Sequence, residues 1–170
     1  MLERHIISIY VENQAGVLSR IAGLISRRGY NIDSLSVGET EDPRFSRITV
    51  VIHGDSYVIE QIEKQVGKLF DVVNIKELVP DMSIYRELAL IKVKVEPEKR
   101  AELIAIVDIF RAKIIDVSAS TLTVEITGDQ GKIEAFCELM EPFGISEIAR
   151  TGLTGLQRGK ENIKGIKFME

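Results

Sequence analysis

The sequence predicts an α+β protein made of two consecutive βαββαβ units. The spacing of apolar residues alternates between that of a strand and that of a helix over six segments, and the same order of segments then recurs. The letters repeat as well, because ITVVIHGD at 48–55 matches LTVEITGD at 122–129, an offset of 74 residues from 48 to 122. Pro80 and Asp81 interrupt the pattern between the two copies.

The first unit contains four apolar, β-branched strands and two amphipathic helices. Gly29 is placed to end the first helix, and Asp55 or Ser56 can cap the second. The strands are predicted at 5–11, 31–37, 47–52 and 72–78. The inward positions of the helices are Val17, Leu18, Ile21, Ala22, Leu24 and Ile25 in the first and Ile59, Ile62, Val66, Leu69 and Phe70 in the second.

The second unit repeats this order with a shorter connection between its second and third strands. Pro97 suits the first turn of its first helix, and Asp129 can cap its second. The strands are predicted at 88–95, 114–118, 122–126 and 145–150. The inward positions are Ile104, Val107 and Phe110 in one helix and Ile133, Phe136, Cys137 and Met140 in the other.

A βαββαβ unit of about 75 residues is the ferredoxin-like split arrangement. Right-handed crossovers place both helices on one face of an antiparallel sheet with the order four, one, three, two. Strand two is then an edge, and pairing with its own copy in a second chain would cover it and give a homodimer. We expect domains at 1–79 and 82–159 and a C-terminal tail at 160–170.

Composition points to a cytoplasmic protein. The net charge of −4 and the small basic clusters do not favour a nucleic-acid partner. No apolar run reaches the length of a membrane span, no signal-type segment opens the chain, and the lone Cys137 has no partner for an intramolecular disulfide. We therefore expect neither a membrane nor a nucleic acid as partner.

The segment 11–20 carries the strongest functional pattern. Gly16 permits a tight turn, and the N–H groups of Gly16, Val17 and Leu18 should be free at a helix N-terminus, where they would favour a carboxylate. Asn13 adds an uncharged donor and acceptor, so that the loop suits a zwitterionic amino acid. An ordinary strand-to-helix turn with an asparagine cap is the alternative interpretation.

Asn31 begins the second strand, which runs parallel to the first. Asn13 and Asn31 of one chain should therefore lie at opposite ends of the sheet, about 20 Å apart. Antiparallel pairing of the second strand across a two-fold axis would bring Asn31 of one copy to Asn13 of the other. The hypothesis is a pair of equivalent sites at a dimer interface, each built from both chains.

At these residues the chain resembles a known family. The first unit is similar to an ACT domain, and residues 2–159 resemble the small subunit of acetohydroxyacid (acetolactate) synthase. The segments that carry the resemblance are ENQAGVLSR at 12–20, RGYNID at 28–33, SVG at 36–38, FR at 110–111, IIDV at 114–117, ARTG at 149–152 and GLQRG at 155–159.

The resemblance implies a non-catalytic regulatory subunit that binds valine, or leucine or isoleucine, activates a separate catalytic large subunit and confers feedback inhibition. It assigns effector contacts to Asn13, Gly16 and Asn31, with Gln14, Ala15, Val17, Leu18 and Ile32 beside them. Thiamine diphosphate, FAD and magnesium would belong to the catalytic subunit, with none in this chain.

No convergent set of catalytic groups is visible. His5, His53 and Cys137 are scattered, and no phosphate loop, nucleophile elbow or metal-ligand spacing occurs. Three interpretations are open: the synthase subunit, a stand-alone ACT-type regulator and a small ferredoxin-like hydrolase. The second unit carries Glu96-Pro97-Glu98 at the turn equivalent to Asn13–Gly16, so we expect no effector there.

Overall fold

A computed structural model describes residues 3–165. Of these, the residues up to Ile84 and those from Leu153 onward form one compact unit, and Tyr85–Gly152 form a second. The first unit contains β1 (Glu3–Glu12), α1 (Val17–Arg27), β2 (Ile32–Glu39), β3 (Phe45–Gly54), α2 (Ser56–Val66) and β4 (Val72–Glu77). The elements that follow are β5 (Ser83–Lys94), α3 (Arg100–Ile109), β6 (Lys113–Val117), β7 (Thr121–Gly128), α4 (Gln130–Met140), β8 (Ile145–Arg150) and β9 (Thr154–Gln157).

The first sheet has the order β2-β3-β1-β4, which confirms the predicted topology with β2 at an edge. All its neighbouring strands are antiparallel, and β1 pairs with β3 over its whole length, from Glu3 opposite Gly54 to Glu12 opposite Phe45. One face of this sheet packs against both helices. The core that results contains Ile7, Ile9, Val11, Ile48, Val50 and Ile52 from the strands and Val17, Ile21, Ile25, Ile59, Ile62 and Val66 from the helices.

The second unit repeats this arrangement with the order β6-β7-β5-β8. Its core joins Ala89, Ile91, Val93, Leu122, Val124 and Ile126 of the sheet with Leu103, Val107, Ile133, Phe136 and Met140 of the helices. The expected α+β class and the two ferredoxin-like units are therefore confirmed.

The repeated Gly-Asp pair at the end of β3 and β7 has a structural cause. Asp55 and Asp129 are the N-cap residues of α2 and α4, and each carboxylate accepts a hydrogen bond of 2.9 Å from a backbone N–H three residues later. A Cβ at Gly54 would lie 2.7 Å from Val58 Cγ1, and one at Gly128 would lie 2.5 Å from Lys132 Cδ. Each strand therefore turns into its helix at a point where only glycine fits without displacement.

Three predicted inward positions are wrong, the first being Leu18, which is 38% exposed on the first turn of α1. Phe70 is 91% exposed, because α2 ends at Val66 and Phe70 lies in the following turn. In the second unit, Pro97 begins a 3-10 turn and α3 starts only at Arg100. This shift turns Leu103 fully inward and leaves Ile104 37% exposed.

The C-terminal segment, defined here as residues 153–165, differs most from expectation. Residues 153–159, which the sequence assigns to the second domain, lie in the first unit, where Leu153 and Ile163 are buried. Strand β9 was not predicted, and it pairs with β5. Of the expected tail at 160–170, residues 160–165 have a defined path and 166–170 lie outside the described residues.

Hydrogen bonds to β2, β3 and β4 hold this segment against the sheet face opposite the helices. At β2, the Leu153 N–H donates to Ser34 Oγ at 3.0 Å, and at β3 the Arg47 guanidinium donates to the Gly155 carbonyl at 3.2 Å. At β4, Asn74 Nδ2 donates to the Ile163 carbonyl at 2.9 Å. The first sheet is thus covered by α1 and α2 on one face and by the C-terminal segment on the other.

We predict that Asp55→Ala lowers the free energy of unfolding of the first unit by about 1 kcal/mol, because the N–H of Val58 loses its acceptor. Urea unfolding followed by circular dichroism measures the change. Asp81→Ala, at an exposed carboxylate in the turn before β5, is the matched control and should change stability by less than about 0.5 kcal/mol. Equal losses in the two variants would contradict the capping role.

Candidate effector-binding site

The loop after β1 is held by backbone hydrogen bonds on both sides. The Glu12 N–H donates to the Asp71 carbonyl at 2.9 Å, and the Asn13 N–H donates to the Arg44 carbonyl at 2.7 Å. The Gln14 N–H closes a short turn onto the Glu12 carbonyl at 3.0 Å. The loop is therefore fixed between the start of β4 and the β2–β3 connection before α1 begins.

Gly16 is the N-cap residue of α1, and its φ of 86° lies in the left-handed region. No side chain of the described residues caps this helix. Among residues 3–165, the N–H groups of Gly16 and Leu18 have no acceptor, and that of Val17 makes only a long contact of 3.4 Å with the Gln14 carbonyl. A helix N-terminus with free N–H groups and no capping side chain favours an anion such as a carboxylate.

Arg20 lies beside this N-terminus and is not among the predicted site residues. Its Nε and Nη2 donate to Asp71 Oδ2 at 3.0 and 2.5 Å, and a Cβ at Gly16 would lie 3.1 Å from its Nη1. The only sequence signal is its position one helical turn after Gly16. The ion pair links α1 to Asp71, whose backbone carbonyl accepts the hydrogen bond from the Glu12 N–H at the start of the loop.

The Asn13 side chain is exposed, and its amide nitrogen donates two hydrogen bonds. Its Nδ2 donates to Glu39 Oε1 at 3.2 Å and to the Pro43 carbonyl at 2.9 Å. The amide nitrogen thus fixes the side chain at the end of β2, and the amide oxygen remains as an acceptor.

Asn31 lies at the other end of β2, as predicted. Its Nδ2 donates to Asp33 Oδ1 at 3.2 Å, and the same carboxylate pairs with His53 Nδ1. Ile32 is level with His5 through Ile52 of β3, so about nine residue steps, roughly 30 Å, separate Asn31 from Asn13 along the sheet. The structure therefore does not bring the two asparagines together within one chain.

The remaining predicted site residues differ in exposure. Gln14 and Ala15 are exposed in the loop, and Leu18 is 38% exposed on the first turn of α1. Val17 is buried in the core, and Ile32 is half-buried against it. Val17 can therefore reach a ligand only through its backbone.

Within residues 3–165, no three His, Cys, Asp or Glu side chains come together as a metal site. Burial raises the pKa of the Cys137 thiol, which disfavours the reactive thiolate. No helix in the described part of the chain is long and apolar enough to cross a membrane.

Comparison with known proteins gives a consistent result over both units. Residues 7–76 match the family model described as an AHAS small subunit-like ACT domain, and residues 86–159 match that of the small subunit of acetolactate synthase. The acetolactate synthase small subunit of Mycobacterium bovis is 49% identical, over 96% of this chain and 97% of its own length.

A second relative and a solved structure give the same result. The probable acetolactate synthase small subunit of Methanothermobacter thermautotrophicus is 49% identical over 95% of this chain and 96% of its own length. The crystal structure of the acetolactate synthase small subunit from Thermotoga maritima superposes with a TM-score of 0.85, at 43% identity, and covers 94% of this chain and 99% of that one.

We predict that Gly16→Ala destabilises the first unit by about 1–2 kcal/mol, because alanine is strained at φ 86° and its Cβ presses on the Arg20 guanidinium. Gly29→Ala is the matched control, since Gly29 has a φ of 80° and open space around the Cβ position. The difference between the two losses, measured by urea unfolding, isolates the Arg20 contact. A loss at Gly16 no larger than that at Gly29 would contradict it.

We also predict that the Cys137 thiol reacts slowly with Ellman's reagent at pH 7 and at least tenfold faster in urea, because burial raises its pKa in the folded state. Absorbance at the thiolate product wavelength follows the reaction. Equal rates in both conditions would show that the thiol is accessible and activated in the folded protein.

Proposed function

We propose that this chain, which belongs to the acetolactate synthase small-subunit family, is the regulatory subunit that binds valine or another branched-chain amino acid and confers feedback inhibition. The observation that supports this most directly is the uncapped N-terminus of α1. Its free N–H groups lie next to the exposed Asn13, in the unit that matches the ACT domain.

The chemistry of the loop suits an α-amino acid. The N–H groups of Gly16 and Leu18 would bind the carboxylate, supported by the positive end of the helix dipole. The amide oxygen of Asn13 would accept from the ammonium group, while its nitrogen stays bonded to Glu39 and Pro43. The exposed Leu18 would contact the apolar side chain of the effector.

The site would be completed by a second copy of the chain. Strand β2 is an edge of the first sheet, and Leu35 and Val37 on it are exposed. Antiparallel pairing of two β2 strands would extend the sheet across a two-fold axis and cover these side chains. It would also carry Asn31 of one protomer, oriented by Asp33, to the Asn13 end of the other.

A ligand held by two protomers would alter their relative position. Its binding free energy then favours one arrangement of the dimer, and the catalytic subunit would respond to that arrangement. The thiamine diphosphate, FAD and magnesium expected in the complete enzyme would belong to the large subunit.

We predict that the wild-type chain binds valine at about one molecule per protomer, and that Asn13→Ala weakens binding at least tenfold through loss of about 1.4 kcal/mol or more. Isothermal titration calorimetry measures both quantities. Gln130→Ala, which removes an exposed amide in the second unit, is the matched control and should bind like wild type. Undiminished binding by Asn13→Ala would contradict the proposed site.

A mixing experiment tests whether each site uses both chains. Asn13→Ala and Asn31→Ala homodimers should each fail to bind, whereas their heterodimer would contain one intact site. After subunit exchange of an equimolar mixture, about half of the dimers are heterodimers, and each has one of its two sites intact. We therefore expect about one quarter of the wild-type valine-binding capacity to return. No recovery would mean that the two asparagines serve one chain's site or do not share a site, and the interface proposal would be wrong.

A further inference from the structure

A cavity of about 500 Å³ lies on the face of the first sheet opposite the helices, beneath the C-terminal segment. Strands β1, β2 and β3 form its floor, and Leu156, Asn162 and Ile163 are among the residues of the segment that enclose it. Its volume is typical of small-molecule sites. It is separate from the free N–H groups of α1, which lie outside its lining.

The floor of the cavity is polar although it is largely buried. Thr49 pairs with Ser36 of β2, and Arg47 pairs with Tyr10 of β1, so the four side chains lie side by side on one face. Thr49 is 1% exposed and Tyr10 is 5% exposed. Within residues 3–165, the hydroxyls of Tyr10, Ser36 and Thr49 make no hydrogen bond, and none of the three is fully buried. They are therefore accessible from the cavity, where each can donate to or accept from a polar ligand.

Arg47 adds an uncompensated positive charge to this floor. In the part of the chain that the structure describes, its guanidinium forms no ion pair and donates only to the Gly155 carbonyl, at 3.2 Å. Burial lowers the pKa of Arg47, which is the sign of a cation removed from water without a carboxylate to balance it. An arginine with free donors in a concave site is a common anchor for carboxylate or phosphate.

The acidic residues of the lining are exposed, in contrast to the floor. Glu41 pairs with Lys164, Glu39 accepts from Asn13, and Glu161 is exposed on the C-terminal segment. A ligand would thus place its anionic group on Arg47 and direct hydroxyl or ammonium groups toward the glutamates.

We propose that this cavity is a second ligand site, distinct from the effector loop, and that it binds a small organic anion through Arg47 and the hydroxyls of Tyr10, Ser36 and Thr49. The bound group is a carboxylate or a phosphate, since both match the guanidinium fork and accept from hydroxyls. The C-terminal segment closes over the ligand and supplies the Gly155 carbonyl that orients Arg47.

The test is a titration of the full-length chain with inorganic phosphate and, separately, with malonate, at constant ionic strength maintained with sodium chloride. Nuclear magnetic resonance follows the Arg47 Nε–H and the amides of Gly155 and Leu156. We expect saturable shifts at these positions with at least one probe. Saturation by phosphate alone assigns a phosphate group, and saturation by malonate alone assigns a carboxylate. Linear shifts with both probes would overturn the proposal.

Arg47→Met should weaken binding of the probe that saturates by at least tenfold. Thr49→Val, which preserves the shape of the side chain, should weaken that binding about threefold. Arg44→Met is the matched control, since Arg44 is exposed and paired with Asp42, and binding should remain within twofold of wild type. If Arg47→Met does not fold, the test rests on Thr49→Val and Ser36→Ala, and both variants should bind the probe more weakly than wild type. Unchanged binding in these variants, or an equal loss in Arg44→Met, would overturn the proposal.

Discussion

The register between β1 and β3 is the constraint on which the first unit depends. One face of β1 supplies Ile7, Ile9 and Val11 to the core, and the other face carries Tyr10 to the cavity floor. The same strand ends in the loop that presents Asn13. A slip of one residue would exchange the two faces and place polar groups in the core. The continuous pairing from Glu3 to Glu12 therefore fixes core, loop and cavity together.

Most of the fold could be predicted from the sequence because local patterns and packing agree. The two Gly-Asp pairs mark a glycine-restricted turn and a helix cap, and both are readable in the letters. Phe70 and Ile104 were misplaced, because apolar spacing does not show where a helix ends or how a 3-10 turn shifts the next one. Strand β9 and the C-terminal path were missed, since they depend on distant partners such as Ser34 and Asn74.

The candidate site was predictable only in part. Asn13 and Gly16 follow from the chemistry of a strand-to-helix loop, and the separation of Asn13 from Asn31 follows from topology. Long-range contacts could not be inferred, because Arg20 meets Asp71 and Asn13 meets Glu39 only after the sheet has formed. The pairing of Asp33 with His53 is another such contact, and no spacing in the sequence indicates it.

The two units show how one fold can carry different chemistry at the same turn. In the first unit, Gly16 leaves the start of α1 open. In the second, Pro97 begins a 3-10 turn, and the Arg100 guanidinium donates to the carbonyls of Ser118 and Ala119. Duplication thus preserved the sheet and core while the loop that could receive a ligand diverged.

The path of the C-terminal segment has a consequence for biosynthesis. A ribosome makes the strands of the first unit early, but it makes the segment that covers their outer face only after the whole second unit. During that interval, buried positions such as Thr49 and Tyr10 would face solvent or other nascent chains. The first unit is therefore completed only after the second unit has been made, and a chain interrupted anywhere before Leu153 would leave the outer face of the first sheet uncovered.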